Sequence, residues 1–469
     1  MSQVTGNAAD AGRAGTAPLA AASTIAQSVW VAAFVIALLV PIQIYLGTIR
    51  LSFYRVVLLA ALVPMMVQLF SAQPIRFRLA DGLVVAYALM GAFALFMTDA
   101  TLAAIGIFAI ESTAPYFLAR AFVRSSAQFS AMARTLVVCI VLTIPFALYE
   151  NFTRDPIILT ILDTVLPVLQ NVPHEQRLGL DRAQVTFDHP ILYGVFCAFG
   201  VSLAIYATRT RLSVFRGMVV GFAAFLSLSS GAYVAVGLQG LLFLYDFIFQ
   251  KVRQRWMILA ITTAILYAVI EGLSNRTMSQ IVLPYLALNP GTAWTRLSVN
   301  EWAWTGIMAY PWFGLGFTIF WPAPFWVVTT SIDNFWLAIG FRHGLPSMVL
   351  LIASVGAVLW AVIFTRQTDP FVRACRTGFV ITFVGLCIAV ATVHLWNSTY
   401  VAFLFLLGSG MWLTDEQSSD TADDVEASDT KERRGPRYSR DLGPAYRRTL
   451  PPGSAPRTSP LDKRTRESL

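Results

Sequence analysis

From Val29 to Leu413 one apolar stretch follows another with little interruption. Each is long enough to cross a bilayer, which takes about 20 helical residues for about 30 Å of hydrocarbon. The expected fold is therefore all-α, a polytopic membrane bundle of about 12 transmembrane helices. Spans are expected near 29–49, 53–70, 79–97, 100–123, 131–151, 190–208, 213–230, 232–249, 255–272, 345–364, 373–393 and 395–413. Composition agrees, because 13% of the residues are charged, against about a quarter in soluble globular proteins.

Charge sets the orientation. Segments carrying Arg76 and Arg78, Arg124 and Arg134, Arg209, Arg211 and Arg216, Lys251, Arg253 and Arg255, and Arg366, Arg373 and Arg376 alternate with loops that hold no Lys or Arg, around Thr98–Thr101, Ser229–Ala232 and His394–Asn397. The inside-positive rule makes the basic segments cytoplasmic and places both termini inside. Every inner loop is short, whereas two long segments, 152–189 and 273–344, fall on the outer, periplasmic side. Such asymmetry points to work done outside.

Three regions follow. Residues 1–28, rich in Ala, Gly, Ser and Thr, are expected to be a disordered cytoplasmic leader, and 29–413 the membrane domain. Residues 414–469, with 11 acidic and 11 basic residues and much Pro and Ser, are expected to be a disordered cytoplasmic tail. The tail is neutral, so the net charge of +8 belongs to the rest of the chain, where the inside-positive loops account for it without nucleic-acid binding. Cys139, Cys197, Cys375 and Cys387 have neither metal-like nor paired spacing. No HExxH, GxSxG or Walker A pattern is present, so no metal or other cofactor is expected.

The outer side collects the reactive inventory. His174, His189, His343 and His394 all fall there, with seven of the twelve tryptophans between Trp294 and Trp336. An interfacial aromatic belt accounts for the tryptophans, and sugar or lipid contact is the alternative. In the first outer loop the apolar stretch 155–167 precedes a polar strap with Arg177, Arg182, Asp188 and His189. Guanidinium forks suit a diphosphate, and a carboxylate or imidazole can move a proton. Headgroup anchoring is the alternative for each. In the second loop Trp294, Leu297, Trp304 and Met308 recur at near-helical intervals around Arg296, ahead of a Pro-aromatic-Gly turn at Pro311–Gly316. Arg296 either snorkels to water or joins the other outer arginines on an anionic lipid diphosphate. Glu111, midway along the fourth span, must face the bundle interior, since an unpaired carboxylate in hydrocarbon costs several kcal/mol. Arg55 and Arg120 are its expected partners, and a proton or substrate path is the alternative.

Residues 331–347 read SIDNFWLAIGFRHGLPS and enter a new span. With Asn334, Leu337, Gly344, Leu345 and Pro346 in register, they resemble the last outer-loop motif of the bacterial O-antigen ligase and polysaccharide polymerase superfamily. Arg296, Pro311, Gly314 and Gly316 resemble the preceding family element, and Arg182, Phe187, Pro190 and Gly194 the one ahead of the middle spans. The three elements cover roughly residues 180–350. Asp333 stands where ligases of the superfamily carry a histidine, and Ser229-Ser230-Gly231 where many carry Ser-Arg-Gly. Asp333-Asn334 followed by Arg342-His343 resembles the polymerase-like members.

This resemblance implies a GT-C-like bundle in the bacterial inner membrane. It implies a metal-independent glycosyltransferase that moves a glycan from an undecaprenyl-diphosphate-linked oligosaccharide to the hydroxyl of a glycan acceptor, polymerising O-antigen or exopolysaccharide repeats. Arg182 and Arg296, then Arg177 and Arg342, would hold the diphosphate. Asp333 would serve as base, with His343 and His189 in reserve and Asn334, Asp188 and Glu111 in support. Membrane lipid, a flippase and a chain-length regulator are the implied surroundings. The nearest alternative is a ligase joining glycan to lipid A core or protein; from another class, a multi-pass glycan flippase or transporter.

Overall fold

The computed structural model describes residues 27–415 apart from 48, 71–74, 170–175, 209, 253, 276–279 and 282–289. The tail from 416, the first 26 residues and His174 lie outside the described residues. Helices dominate: α1 Gln27–Ala37, α2 Phe53–Leu69, α3 Leu79–Met97, α4 Leu102–Phe122, α5 Ser126–Thr153, α6 Ile157–Asp163, α7 Pro190–Tyr206, α8 Ser213–Phe225, α9 Ser230–Ile248, α10 Arg255–Leu273, α11 Pro290–Ala309, α12 Phe335–Phe364, α13 Pro370–Ala389 and α14 Asn397–Ser409. Seven of them (α3, α4, α5, α9, α10, α12 and α13) are long and apolar enough to cross a membrane, and α1, α2, α7 and α8 are shorter apolar helices. The chain is thus a helical, multi-pass membrane protein.

Local chemistry explains the helix ends. Pro190 and Pro370 occupy first-turn positions, where a missing N–H costs nothing. The side chains of Thr101, Ser125, Asn334 and Asp369 accept first-turn amides of α4, α5, α12 and α13, each cap worth about 1 kcal/mol. Burial concentrates in α7 and α14, whose residues are nearly all enclosed, while α10 buries none. Gln239 of α9 stitches itself into α7, accepting from the Ser202 amide at 3.1 Å and donating to the Ala198 carbonyl at 2.8 Å.

Two expectations need correction. The span expected over 29–49 is helical only to Ala37. Beyond Pro41 the chain forms an antiparallel hairpin, β1 Gln43–Leu46 with β2 Ile49–Ser52, turning at Gly47 where φ is +61°. β-branched and aromatic residues in Ile42–Tyr45 suit a strand, and the Gln43 amide donates to the Pro167 carbonyl at 2.8 Å. The span expected to start at 345 instead starts at Phe335, capped by Asn334, and is interrupted at Gly344 with φ 81° and ψ 166°.

That interruption explains two of the motifs. Pro346 has no N–H for the Arg342 carbonyl, so a straight helix is incomplete there. The segment 311–316 supplies the missing partners: Leu315 and Gly316 donate to the Phe341 and Arg342 carbonyls at 2.8 and 3.1 Å, and Leu345 donates to the Pro311 carbonyl at 2.8 Å. The approach is so close that a Cβ on Gly314 would lie 2.7 Å from the Arg342 carbonyl carbon. A Cβ on Gly344 would collide with the Trp312 carbonyl. The pairing fixes the direction in which Arg342 and His343 project.

Candidate functional site

The loops expected on one side do meet at one end of the bundle. Thr318 donates to the Thr98 carbonyl, Ala183 to the Leu226 carbonyl, Phe335 to the Val390 carbonyl, and Asn397 to Asp188. The opposite end is closed by charge: Arg120 pairs with Asp81 at 3.1 Å and with Asp415, and Arg78 donates to the Thr414 carbonyl.

A cavity of about 440 Å³ opens at the loop end between the hairpin, the first half of α4, the first half of α12 and the turn into α14. That volume lies within the usual range for small-molecule sites, about 300–1,000 Å³. Its charged lining is Arg50, Arg55, Arg342 and Glu111. Glu111 Oε1 accepts from Arg55 Nε at 2.8 Å and from the Tyr54 hydroxyl at 2.6 Å, and Arg55 Nη1 also donates to the Arg50 carbonyl. Arg342 lies over the Phe317 ring at 5.5 Å and has no carboxylate partner among the described residues. The Nδ1 atoms of His343 and His394 have no hydrogen-bond partner there. His394 stacks on Trp396, ring centroids 5.6 Å apart. Burial first, then Arg342, pushes the His394 imidazole down to about 3, so it is neutral near pH 7.

A second charged group gathers Arg177 and Arg182 from the strap, Arg296 from α11 and Asp333 from the turn before α12. Arg296 Nε lies 3.7 Å from Asp333 Oδ2, and Arg296 Nη1 donates to Ser230 Oγ at 3.3 Å. Arg177 donates to the Leu228 carbonyl at 3.1 Å, and Arg182 Nε to the Ser227 carbonyl at 3.5 Å. Among the described residues, Arg182 Nη2 is buried without a hydrogen-bond partner. Burial, reinforced by Arg177 and Arg296, lowers the Arg182 guanidinium to about 10. Asp333, its side chain 37% exposed, is raised above the usual carboxylate range by partial burial, against Arg296, Arg182 and Arg177, which pull it down. A surplus of donors around one carboxylate is what an anionic ligand would complete.

The strap is held from beneath. Glu150 at the end of α5 accepts from the Gln184 and Val185 amides at 3.0 and 2.9 Å, and Asn151 donates to the Asp181 and Leu226 carbonyls. Neither residue stood out in the sequence, although two polar side chains closing a long apolar span were a legible signal.

The sequence-selected residues therefore divide between two places. Arg177, Arg182, Arg296 and Asp333 form one group; Arg342, His343 and Glu111 line the cavity. Asn334 caps α12 through Leu337. His189 caps α7, its Nδ1 accepting from Ile191 at 3.1 Å, with its ring 6.1 Å from Trp396. Asp188 sits behind the cavity wall, receiving a 3.0 Å hydrogen bond from Asn397; burial raises its carboxyl, while Asn397 and Arg50 act the other way. Of the two partners expected for Glu111, Arg55 is the one found, and Arg120 serves Asp81. Arg50, Asn397 and Tyr400 complete the cavity without having been singled out.

Compared with known proteins, the chain matches no family model and no curated protein.

Proposed function

We propose that the chain is a membrane glycosyltransferase that moves a glycan from undecaprenyl diphosphate to a sugar hydroxyl, joining polysaccharide repeat units at the outer face of the bacterial inner membrane. One observation carries the reading: Arg296 lies 3.7 Å from a half-buried carboxylate, Asp333, whose ionised form Arg182 and Arg177 also favour, and Arg182 keeps a buried donor with no hydrogen-bond partner among the described residues, between helices that suit a lipid bilayer. The resemblance of the segments bearing Arg182, Arg296 and Asp333 to the polymerase-like members supports the same reading.

In the proposed reaction the acceptor hydroxyl oxygen attacks the anomeric carbon of the donor glycan. The bond from that carbon to the diphosphate oxygen breaks, the electron pair leaves with undecaprenyl diphosphate, and the hydroxyl proton passes to Asp333. A carboxylate raised above its ordinary range is a better proton acceptor, and a placed base contributes about 10²–10⁴-fold. Arg177, Arg182 and Arg296 offset charge on the departing diphosphate, where water is scarce and each fixed donor is worth about 10²–10³-fold.

The finer architecture belongs to the same proposal: twelve crossings in a GT-C-like arrangement, both termini cytoplasmic, with a flippase and a chain-length regulator as neighbours. Complementation of a strain lacking the gene tests it. Wild type restores long polymer, whereas Asp333→Asn and Arg296→Ala reach the membrane and leave single-repeat product; normal polymer from both variants overturns the reading. Long polymer accumulating on the carrier in the deleted strain favours a ligase instead.

A further inference from the structure

We propose that the cavity lined by Arg50 and Arg342 is a binding site for an acidic sugar residue, so that the glycan this protein handles carries carboxylates. The inference rests on the glycosyl-transfer reading but concerns a different place from the Asp333 group, none of whose residues lines the cavity.

Charge separates the two places. Around Asp333, Arg296 at 3.7 Å and, farther off, Arg182 and Arg177 all favour the ionised carboxylate, an excess of cations that suits a diphosphate. Around the cavity, Arg50, Arg55 and Arg342 face Glu111 in the lining and Asp188 behind Asn397, a surplus of one. Arg55 is already engaged by Glu111 and by the Arg50 carbonyl, and Arg50 acts on Asp188, which leaves Arg342 with no carboxylate of its own among the described residues. The neighbouring histidine rings offer Arg342 no countercharge. A single guanidinium fork in a partly dry pocket fits one carboxylate in bidentate fashion.

The remaining lining suits a sugar ring. Trp396 and His394 stack on each other in the lining, Phe108 and Phe317 lie near His343, and Asn397 supplies a polar edge, while the Tyr400 hydroxyl is held by Tyr87 and Ser112. Aromatic faces with a few placed polar groups are the usual composition of a small-ligand site. Asn397 holds a left-handed backbone, φ +48°, while its side chain bonds Asp188. Asparagine adopts this conformation more readily than most residues, and the bond to Asp188 fixes its side chain at the cavity wall.

Binding can be measured without any transfer, which keeps failure of this inference distinct from failure of the enzymatic reading. The probes are a glucuronic-acid-containing disaccharide, its neutral glucose counterpart and inorganic pyrophosphate, titrated calorimetrically into the purified full-length protein in detergent. The acidic disaccharide binds at least tenfold more tightly than the neutral one. Arg342→Gln and, separately, Arg50→Gln remove that preference with an unchanged melting temperature, while Arg296→Gln retains it and weakens pyrophosphate. Equal binding of the two disaccharides, binding of neither, or a preference lost with Arg296→Gln and kept in both cavity variants overturns the proposal. Displacement of the acidic sugar by pyrophosphate in the Arg296→Gln protein does so too, and assigns the cavity to phosphate.

Discussion

Two groups of three arginines sit at the same end of this bundle, and they are wired differently. In the cavity, Arg55 and Tyr54 both donate to Glu111 Oε1, while Arg342 has no carboxylate partner among the described residues. Beside α11, Asp333 lies 3.7 Å from Arg296, and Arg182 keeps a buried donor with no acceptor among the described residues. In a third group at the opposite end, Asp81 and Arg120 are fully buried and paired with each other, Asp81 accepting from Tyr116 and Arg120 donating to Asp415. A buried ion pair alone therefore says little about activity. What separates a structural pair from a reactive one is whether some donor or carboxylate is left incomplete where a ligand can reach it.

Substitutions that treat the groups differently test the distinction. Asp333→Asn removes the base while keeping the shape, so transfer falls by about 10²–10⁴-fold and the melting temperature holds; the check is initial-rate assay beside thermal unfolding. The cavity pair predicts the reverse emphasis. Arg55→Ala strands Glu111 in a largely dry setting and destabilises the protein by about 3–5 kcal/mol, read from denaturation in detergent. Arg182→Gln takes away the unpartnered donor and costs about 10²-fold in transfer with little loss of stability. A large loss of stability there would mean the arginine is a strut like Arg120.

Acid sharpens the comparison with smaller effects. Asp333 must be ionised to accept a proton, and burial raises its carboxyl, so activity falls on acidification at a pH above the ordinary aspartate value of about 3.9. Arg296 favours the ionised form, so Arg296→Gln moves this limb of the pH–rate profile further up. His394 works through stability. Its folded-state value of about 3 lies below the free value of about 6.5, so the unfolded chain takes up the proton first. Stability contributed by the neutral ring is present above about pH 6.5 and lost as pH falls toward 3. His394→Asn flattens the dependence of melting temperature on pH in that window.

Much of this was legible in the chain. Apolar length marked the helices, and the alternation of basic and charge-free loops matched the loops that meet at the cavity end. Glu111 had to be paired, and Arg55 proved to be the partner. Spacing, however, could not separate Asp333 from His343: both belong to one short motif, yet the first turns of α12 carry them into different groups. The hairpin was hidden because Ile42–Leu46 is as apolar as the helix before it, and with it Arg50 was missed. An arginine on the side that the inside-positive pattern keeps clear was the available signal. The fit of Gly314 against Gly344, and of Gly316 against Thr98, was visible only as a motif, since a backbone carbonyl released by Pro346 leaves no trace in side-chain chemistry.

The most direct measurement is reconstitution of the purified protein in liposomes with a defined undecaprenyl-diphosphate oligosaccharide, followed by sizing of the carrier-linked glycan. The account predicts products longer by whole repeats, release of undecaprenyl diphosphate, and neither with Asp333→Asn. Folded protein that forms no glycosidic bond, or that moves the oligosaccharide across the bilayer unchanged, would contradict it.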